Sequence, residues 1–174
     1  MSHNLDEKKF PVGKFSMPEE INPQAMESWM AMIHHFPELL RVELEKLKSE
    51  DFDKPYRDGG WTIRQVVHHL ADSHMNAFIR FKLALAEDGV EIKPYPQDLF
   101  SLQTDNLEES IESSMQIIQG VHHRWFRLME SMSDADWNRH YVHPEYGKRY
   151  ALKEALAQYD WHCRTHLGHI RLLQ

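Results

Sequence analysis

Histidine is the residue type whose spacing suggests chemistry in this sequence. The chain has 13 histidines among 174 residues, and His162 and His166 lie four positions apart near its carboxyl end. On a helix, residues at this spacing share one face, with their Cβ atoms about 5–6 Å apart. Two imidazoles held by one rigid element can share a metal ion, so the pair predicts part of a metal site. His169 lies one further turn along and could extend the cluster.

Two familiar metal chemistries do not fit the residues around this pair. The residues that follow His162 are Cys163, Arg164 and Thr165, so the His-Glu-x-x-His motif with its glutamate base is absent. No glutamate of the chain has a histidine three residues after it, which argues against a di-iron carboxylate site. Cys163 is interpreted as small core filler in preference to a ligand.

A third ligand must come from another element, and a helix predicted over residues 63–86 offers His68, His69 and His74. His74 lies within the apolar face, where a core histidine hydrogen-bonded to a neighbour is expected. His69 lies at the border of that face and begins a polar seam that needs partners or a solvent-filled cavity. The seam consists of His69, Ser73, Asn76 and Arg80.

The remaining histidines of interest are interpreted more simply. His68, His122 and His123 are expected at the surface or the rim of the fold. Three neutral imidazoles from two helices would suit zinc or nickel and would leave coordination positions open for water or substrate.

Four amphipathic helices are predicted to position these residues. Apolar side chains at three- and four-residue steps indicate helices over residues 23–48, 63–86, 106–131 and 152–173. Pro37 should kink or split the first near Phe36, and we predict one bent helix there. Thr62 with Gln65 forms a capping box before the second. The pattern predicts an all-α four-helix bundle, with a long connection over residues 88–103 and a short hairpin or loop over 138–150. Residues 1–174 should form one domain, with residues 1–20 as an irregular arm.

The composition of the chain limits the kinds of partner it can bind and the cellular compartment in which it is expected. Twenty basic and 27 acidic residues give a net charge of −7, which disfavours nucleic acid and anionic membranes as partners. The longest apolar run is about five residues, against the roughly 20 that a membrane span requires. A single cysteine fits a reducing compartment, and no signal segment opens the chain, so a cytoplasmic protein is expected.

Two stretches of the sequence resemble a known family. Residues 56–75 (YRDGGWTIRQVVHHLADSHM), followed by Arg80-Phe81-Lys82, are similar to the DinB/YfiT superfamily of metalloenzymes, and within it to the YfiT branch. Residues 161–170 (WHCRTHLGHI) are similar to the closing His-x-x-x-His of that family. The resemblance covers essentially the whole chain.

The resemblance implies a fold and a ligand set. It implies a four-helix bundle, commonly a homodimer, that holds one divalent metal ion, zinc or nickel, with three histidines. The first ligand would be the histidine just before Leu-Ala-Asp, which is His69, and the others would be His162 and His166.

The resemblance also implies an activity. The YfiT branch resembles low-molecular-weight thiol S-transferases of the bacillithiol type, so we expect a small-molecule thiol and an electrophile as substrates. A three-histidine metal could activate a thiolate for conjugation, or lower the pKa of bound water to about 7 and deliver hydroxide for hydrolysis. The transferase is favoured; a hydrolase and a non-catalytic metal-binding or ligand-binding bundle are the alternatives.

No residue is assigned as a general base, and three residues are candidates for substrate binding. Arg80 and Arg57 could hold an anionic thiol, although Arg80 could equally form an ion pair on its helix flank. Tyr159 lies one turn before His162 and could orient a ligand.

Overall fold

Four long helices form the body of the protein, whose computed structural model describes residues 5–145 and 147–174. They are α2 (Pro23–Leu44), α3 (Ile63–Ala86), α6 (Ile111–Glu130) and α8 (Leu152–Arg171). Shorter helices are α1 (Leu5–Lys9), α4 (Gln97–Phe100), α5 (Thr104–Glu108) and α7 (Asp134–Trp137). Helix α2 packs mainly against α8, and α3 packs mainly against α6. The predicted helical bundle is therefore confirmed.

Helix α3 begins and ends where the sequence predicts. The Thr62 hydroxyl accepts the Gln65 backbone N–H at 3.2 Å, and the Gln65 side-chain oxygen accepts the Thr62 N–H at 2.9 Å. This capping box satisfies two backbone donors that the first turn leaves free. The Gln65 amide also donates to the Ser101 carbonyl at 2.8 Å, which attaches the long connection to the start of α3.

Helix α2 departs from its predicted course at its carboxyl end. It runs through Pro37 as one continuous helix, in agreement with the single helix predicted over residues 23–48. It ends at Leu44 and not near residue 48, because the chain tightens at Leu47, whose N–H donates to the Leu44 carbonyl three residues back. Ile33, Phe36 and their neighbours one and two turns on keep the same face of the helix buried past the proline.

The third long helix was predicted to start near Asn106, but it starts at Ile111. Two helices occupy this region, and the break between α5 and α6 falls at Glu109 and Ser110. The Ser110 hydroxyl caps α6, and the Glu109 carbonyl accepts a hydrogen bond from Arg64 of α3 at 2.8 Å. The break is stabilised by a side chain from another helix, which local spacing could not reveal.

A small sheet covers one end of the bundle. The predicted hairpin is present as β2 (His140–His143) paired antiparallel with β3 (Lys148–Ala151). A strand that was not predicted, β1 (Val90–Glu91), pairs parallel with β2. This pairing fixes the start of the long connection beside the hairpin.

The amino-terminal arm packs on α8 and is less irregular than predicted, since it contains α1; residues 1–4 of the predicted arm lie outside the described residues. The Trp161 indole N–H donates to the Gly13 carbonyl at 2.8 Å. A Cβ at Gly168 would come within 2.6 Å of the Pro11 ring, so glycine allows the arm to lie directly against the helix. The arm therefore forms part of the surroundings of the His162–His166 segment.

The core is continuous through the four long helices. Its largest fully buried side chains are Trp125, Phe36, Phe81, Ile33, Leu40, Ile63, Leu70, Ile118, Met129, Leu152, Leu156 and Ile170. Across the described ranges, no helix combines the length and apolar character needed to cross a membrane.

Candidate metal centre

Three imidazoles converge between α3 and α8. The His69 ring centroid lies 5.4 Å from that of His162 and 5.1 Å from that of His166, and the two α8 rings are 4.4 Å apart. One ring nitrogen from each residue lies within 4.8 Å of the others. The structure therefore brings together the three residues that the sequence singled out as ligands.

The donor set fits a divalent transition metal. The Nε2 atoms of His69 and His162 are 3.3 Å apart. Two nitrogens bound tetrahedrally at 2.0–2.1 Å from one zinc ion would be about 3.3 Å apart. His69 and His166 are buried and His162 is half-buried, so the rings are held by packing on most sides.

Burial keeps the three rings in the protonation state that binds metals. It lowers the pKa of His69 to about 4 and the pKa values of His162 and His166 well below the ordinary 6.5, with the neighbouring rings adding a smaller effect in the same direction. At neutral pH all three are uncharged and offer a nitrogen lone pair.

The turn before α3 covers the centre with aromatic rings. Gly59 takes a positive φ of 65°, which glycine adopts without strain. The turn places the Trp61 ring 4.7 Å from His69 and stacks the Tyr56 ring on His169 at 4.0 Å. The Trp61 contact supports the orientation of His69, and the Tyr56 contact supports that of His169.

Two further imidazoles hold the candidate ligand His162. Its Nδ1 lies 3.1 Å from His74 Nε2, and His74 Nδ1 lies 2.7 Å from His122 Nε2. His122 Nδ1 lies 2.5 Å from the Ile33 carbonyl of α2. The prediction that His74 is a hydrogen-bonded core histidine is confirmed.

A shorter contact of the same kind holds His166. Its Nδ1 lies 3.2 Å from His169 Nδ1, and His169 Nε2 lies 3.1 Å from the Lys9 carbonyl in the amino-terminal arm. His169 thus extends the cluster as an outer partner of a candidate ligand.

Two histidines expected at the surface are buried. His122 is fully buried, and His68 is buried with its Nδ1 2.7 Å from the Ser114 hydroxyl. The apolar stripe of α6 could have revealed His122, because it lies four residues after Ile118 and three before Trp125. His123 is exposed, as expected.

Two cavities meet at the centre. The Arg80 cavity, of about 500 Å³, is lined by the long connection, the sheet and the seam residues Ser73 and Arg80. The Trp61 cavity, of about 520 Å³, lies on the other side against the turn and the arm. His162, Gln97 and Asp98 line both, so the long connection forms a shared wall that sequence analysis did not resolve into residues.

The three predicted substrate-binding residues are divided between these cavities. Arg80 and Tyr159 line the Arg80 cavity, and Arg57 lines the Trp61 cavity. Within the described part of the chain, Arg80 Nε is buried and has no hydrogen-bond partner. Burial raises the pKa of Tyr159 and raises that of Tyr95 to about 12, so both phenols remain hydrogen-bond donors at neutral pH.

Cys163 lies in the core and outside the cluster of candidate ligands. Its side chain is fully buried, and burial raises the pKa of the thiol well above 9. This placement agrees with its interpretation as core filler.

Comparison with known proteins gives this arrangement a family context. The profile of the DinB superfamily matches residues 32–170. A protein of Bacillus licheniformis is 41% identical over 167 residues, covering 96% of this chain and 95% of its own. YfiT of Bacillus subtilis is 38% identical over 161 residues, covering 92% and 90%. Both carry the provisional name of metal-dependent hydrolase.

A solved structure has the same fold. The structure of Bacillus subtilis YfiT superposes with a TM-score of 0.92 at 37% identity, covering 96% of this chain and 95% of that one. It is described as a four-helix bundle of unusual topology.

Removing any one of the three rings should abolish tight metal binding. His69→Ala, His162→Ala and His166→Ala each leave two imidazoles, which hold a transition metal weakly. We expect about one divalent cation per wild-type chain and almost none in each variant, measured by elemental analysis after desalting. His123→Ala, which changes an exposed histidine of α6, is the matched control. Undiminished metal content in His69→Ala would overturn the ligand assignment.

Metal affinity should resist mild acid. At pH 5.5 the protonated form of an imidazole of ordinary pKa exceeds the neutral form about tenfold. Because metal binding needs all three rings neutral, three such ligands would together weaken binding about a thousandfold. Because the pKa of His69 is about 4 and those of the other two rings lie well below 6.5, we expect most of the affinity to remain at pH 5.5. Competition with a chromophoric chelator between pH 7.5 and 5.5 should show less than about a tenfold change. A thousandfold loss would contradict the lowered pKa values.

Proposed function

The chain belongs to the DinB superfamily, and from this membership we propose that it is a metal-dependent enzyme centred on His69, His162 and His166. The observation that carries the proposal is the convergence of three neutral imidazoles at the junction of two cavities. Three protein ligands would leave coordination positions open to water or substrate, which separates a catalytic site from a closed structural one. Zinc and nickel are the ions that the donor set suits best.

A divalent cation bound there would act as a Lewis acid, lowering the pKa of a coordinated thiol or water so that it becomes a nucleophile at neutral pH. The residues of this chain would supply the ligands and orient the substrates. His162, which lines both cavities, lies where two substrates could meet.

The specific reaction that we propose is transfer of a low-molecular-weight thiol of the bacillithiol type to an electrophile. The thiol loses its proton to solvent, its sulfur attacks the electrophilic carbon, a C–S bond forms, and the leaving group departs with its electron pair. The resemblance to the YfiT branch supports this choice.

The Arg80 cavity supports a polar, anionic thiol as one substrate. The buried, unpartnered Nε of Arg80 can donate to a carboxylate, and the protonated phenols of Tyr95 and Tyr159 can donate alongside it. Exposed carboxylates of Asp98 and Glu145 at the rim could meet an amino group, which cysteine-derived thiols also carry. The Trp61 cavity, whose wall contains Phe10, Trp61 and Trp161, is left for the electrophile, with Arg57 at its wall.

Metal-dependent hydrolysis is the second candidate, and the provisional names of the relatives favour it. The same three ligands would serve either reaction, so the nucleophile decides between them. A bundle that binds metal or ligand without turnover is the third candidate.

A homodimeric assembly is proposed from the resemblance alone. A cytoplasmic location is proposed from the composition, because a single cysteine fits a reducing compartment.

Thiol conjugation should distinguish the three candidates. We expect the metal-loaded protein to accelerate the reaction of bacillithiol or cysteine with monochlorobimane, with loss of chloride, and to lose this activity with a chelator. Adding back zinc or nickel should restore it. Chelator-sensitive cleavage of an ester such as p-nitrophenyl acetate without thiol conjugation would favour the hydrolase. Stoichiometric metal with no turnover of either substrate would favour the binding protein.

Arg80 should discriminate between charged and neutral thiols. Loss of one charge-assisted hydrogen bond in Arg80→Gln should raise KM for 3-mercaptopropionate about tenfold and leave KM for 2-mercaptoethanol unchanged. Steady-state kinetics with both thiols tests this, and Arg124→Gln, on the exposed face of α6, is the control. An equal rise for both thiols would remove Arg80 from the role of anion binder.

A further inference from the structure

A backbone carbonyl can only accept a hydrogen bond, and this fact sets the direction of the outer histidine contacts. The Ile33 carbonyl lies 2.5 Å from His122 Nδ1, so that nitrogen must carry the proton. In the neutral ring His122 Nε2 is then bare and can only accept.

The same reasoning assigns the donor and the acceptor in the next two contacts, from His122 through His74 to the candidate ligand His162. His122 Nε2 lies 2.7 Å from His74 Nδ1, and a contact between two ring nitrogens at this distance holds one proton. That proton must belong to His74 Nδ1, which leaves His74 Nε2 bare. His74 Nε2 lies 3.1 Å from His162 Nδ1, so His162 carries its proton on Nδ1 and turns a bare Nε2 towards His69.

The other α8 ligand is held in the same way by a separate carbonyl. The Lys9 carbonyl lies 3.1 Å from His169 Nε2, which must therefore carry the proton. His169 Nδ1 is then bare and accepts from His166 Nδ1 at 3.2 Å. His166 is thus also left with a bare Nε2.

We infer that two directed chains of imidazoles, each ending on a backbone carbonyl, fix His162 and His166 in the tautomer whose Nε2 lone pair is free to bind the metal. His74, His122 and His169 are positioning residues, since they act through the ligands and do not touch the centre. The inference rests on the proposed metal site but not on the identity of the reaction. Without these contacts each ligand could move its proton to Nε2, and metal binding would first have to reverse that change.

The tautomers of the metal-free protein provide the first test. Long-range ¹H–¹⁵N correlation spectra distinguish a proton on Nδ1 from one on Nε2. We expect Nδ1–H at His74, His122, His162 and His166, and Nε2–H at His169. A proton on Nε2 of His162 or His166 in the wild-type apoprotein would overturn the inference, whatever the metal content.

Two substitutions of His122 provide the second test. His122→Phe keeps a ring next to Phe36 but leaves His74 Nδ1 without an acceptor, whereas the side-chain oxygen of His122→Gln can accept from it and the amide can donate to Ile33. We expect His122→Phe to weaken zinc binding about 10- to 100-fold and to let His162 adopt the Nε2–H form, with His122→Gln close to wild type.

A neighbouring buried pair supplies the control. Ser114→Ala removes from α6 the hydroxyl that pairs with His68 of α3, a contact that does not reach the centre. It should lower stability while leaving zinc affinity unchanged. Equal zinc affinity in His122→Phe, His122→Gln and wild type would overturn the inference. If the wild-type chain binds no metal but shows the expected tautomers, the proposed function fails while the hydrogen-bond assignment stands.

Discussion

Burial of imidazole rings is the constraint on which this structure depends. A buried ring nitrogen without a partner costs about 1–3 kcal/mol, so each histidine in the core needs an acceptor or donor. The outer rings meet this need through one another and through backbone carbonyls. The three inner rings face one another across a shared space, where a cation would satisfy all of them at once. The packing of four helices around these rings therefore also prepares the metal site.

The sequence predicted the parts of the fold that local rules govern. The capping box at Thr62 sets the start of α3, and the spacing of His162 and His166 places two rings on one face of α8. It did not predict the break before α6, which depends on Arg64 reaching the Glu109 carbonyl from another helix. It also placed His122 at the surface or the rim, although its spacing puts it on the apolar stripe of α6. The partners that allow this polar ring to be buried, His74 and the Ile33 carbonyl, lie on other helices. Contacts between elements distant in the chain account for these errors.

Under the proposed function, the residues that line the cavities, and not the metal ligands, would decide between conjugation and hydrolysis. Both proposed reactions would use the same three imidazoles, so the choice of nucleophile would lie with Arg80 and the tyrosines on one side and with the aromatic turn on the other. Most of these walls come from the turn, the long connection and the hairpin. Segments of this kind tolerate change better than the helices that carry the ligands. One metal-binding framework could in this way serve relatives with different substrates.

The contact between His169 and the arm depends on the backbone of Lys9 and not on its side chain. The group that matters there is the peptide oxygen, which every amino acid possesses, so the identity of the side chain is free to drift. The path of the chain is not free, since losing or gaining one residue between α1 and Pro11 would move that oxygen away from the ring. The length of this segment should therefore be conserved more strictly than the identities of its residues.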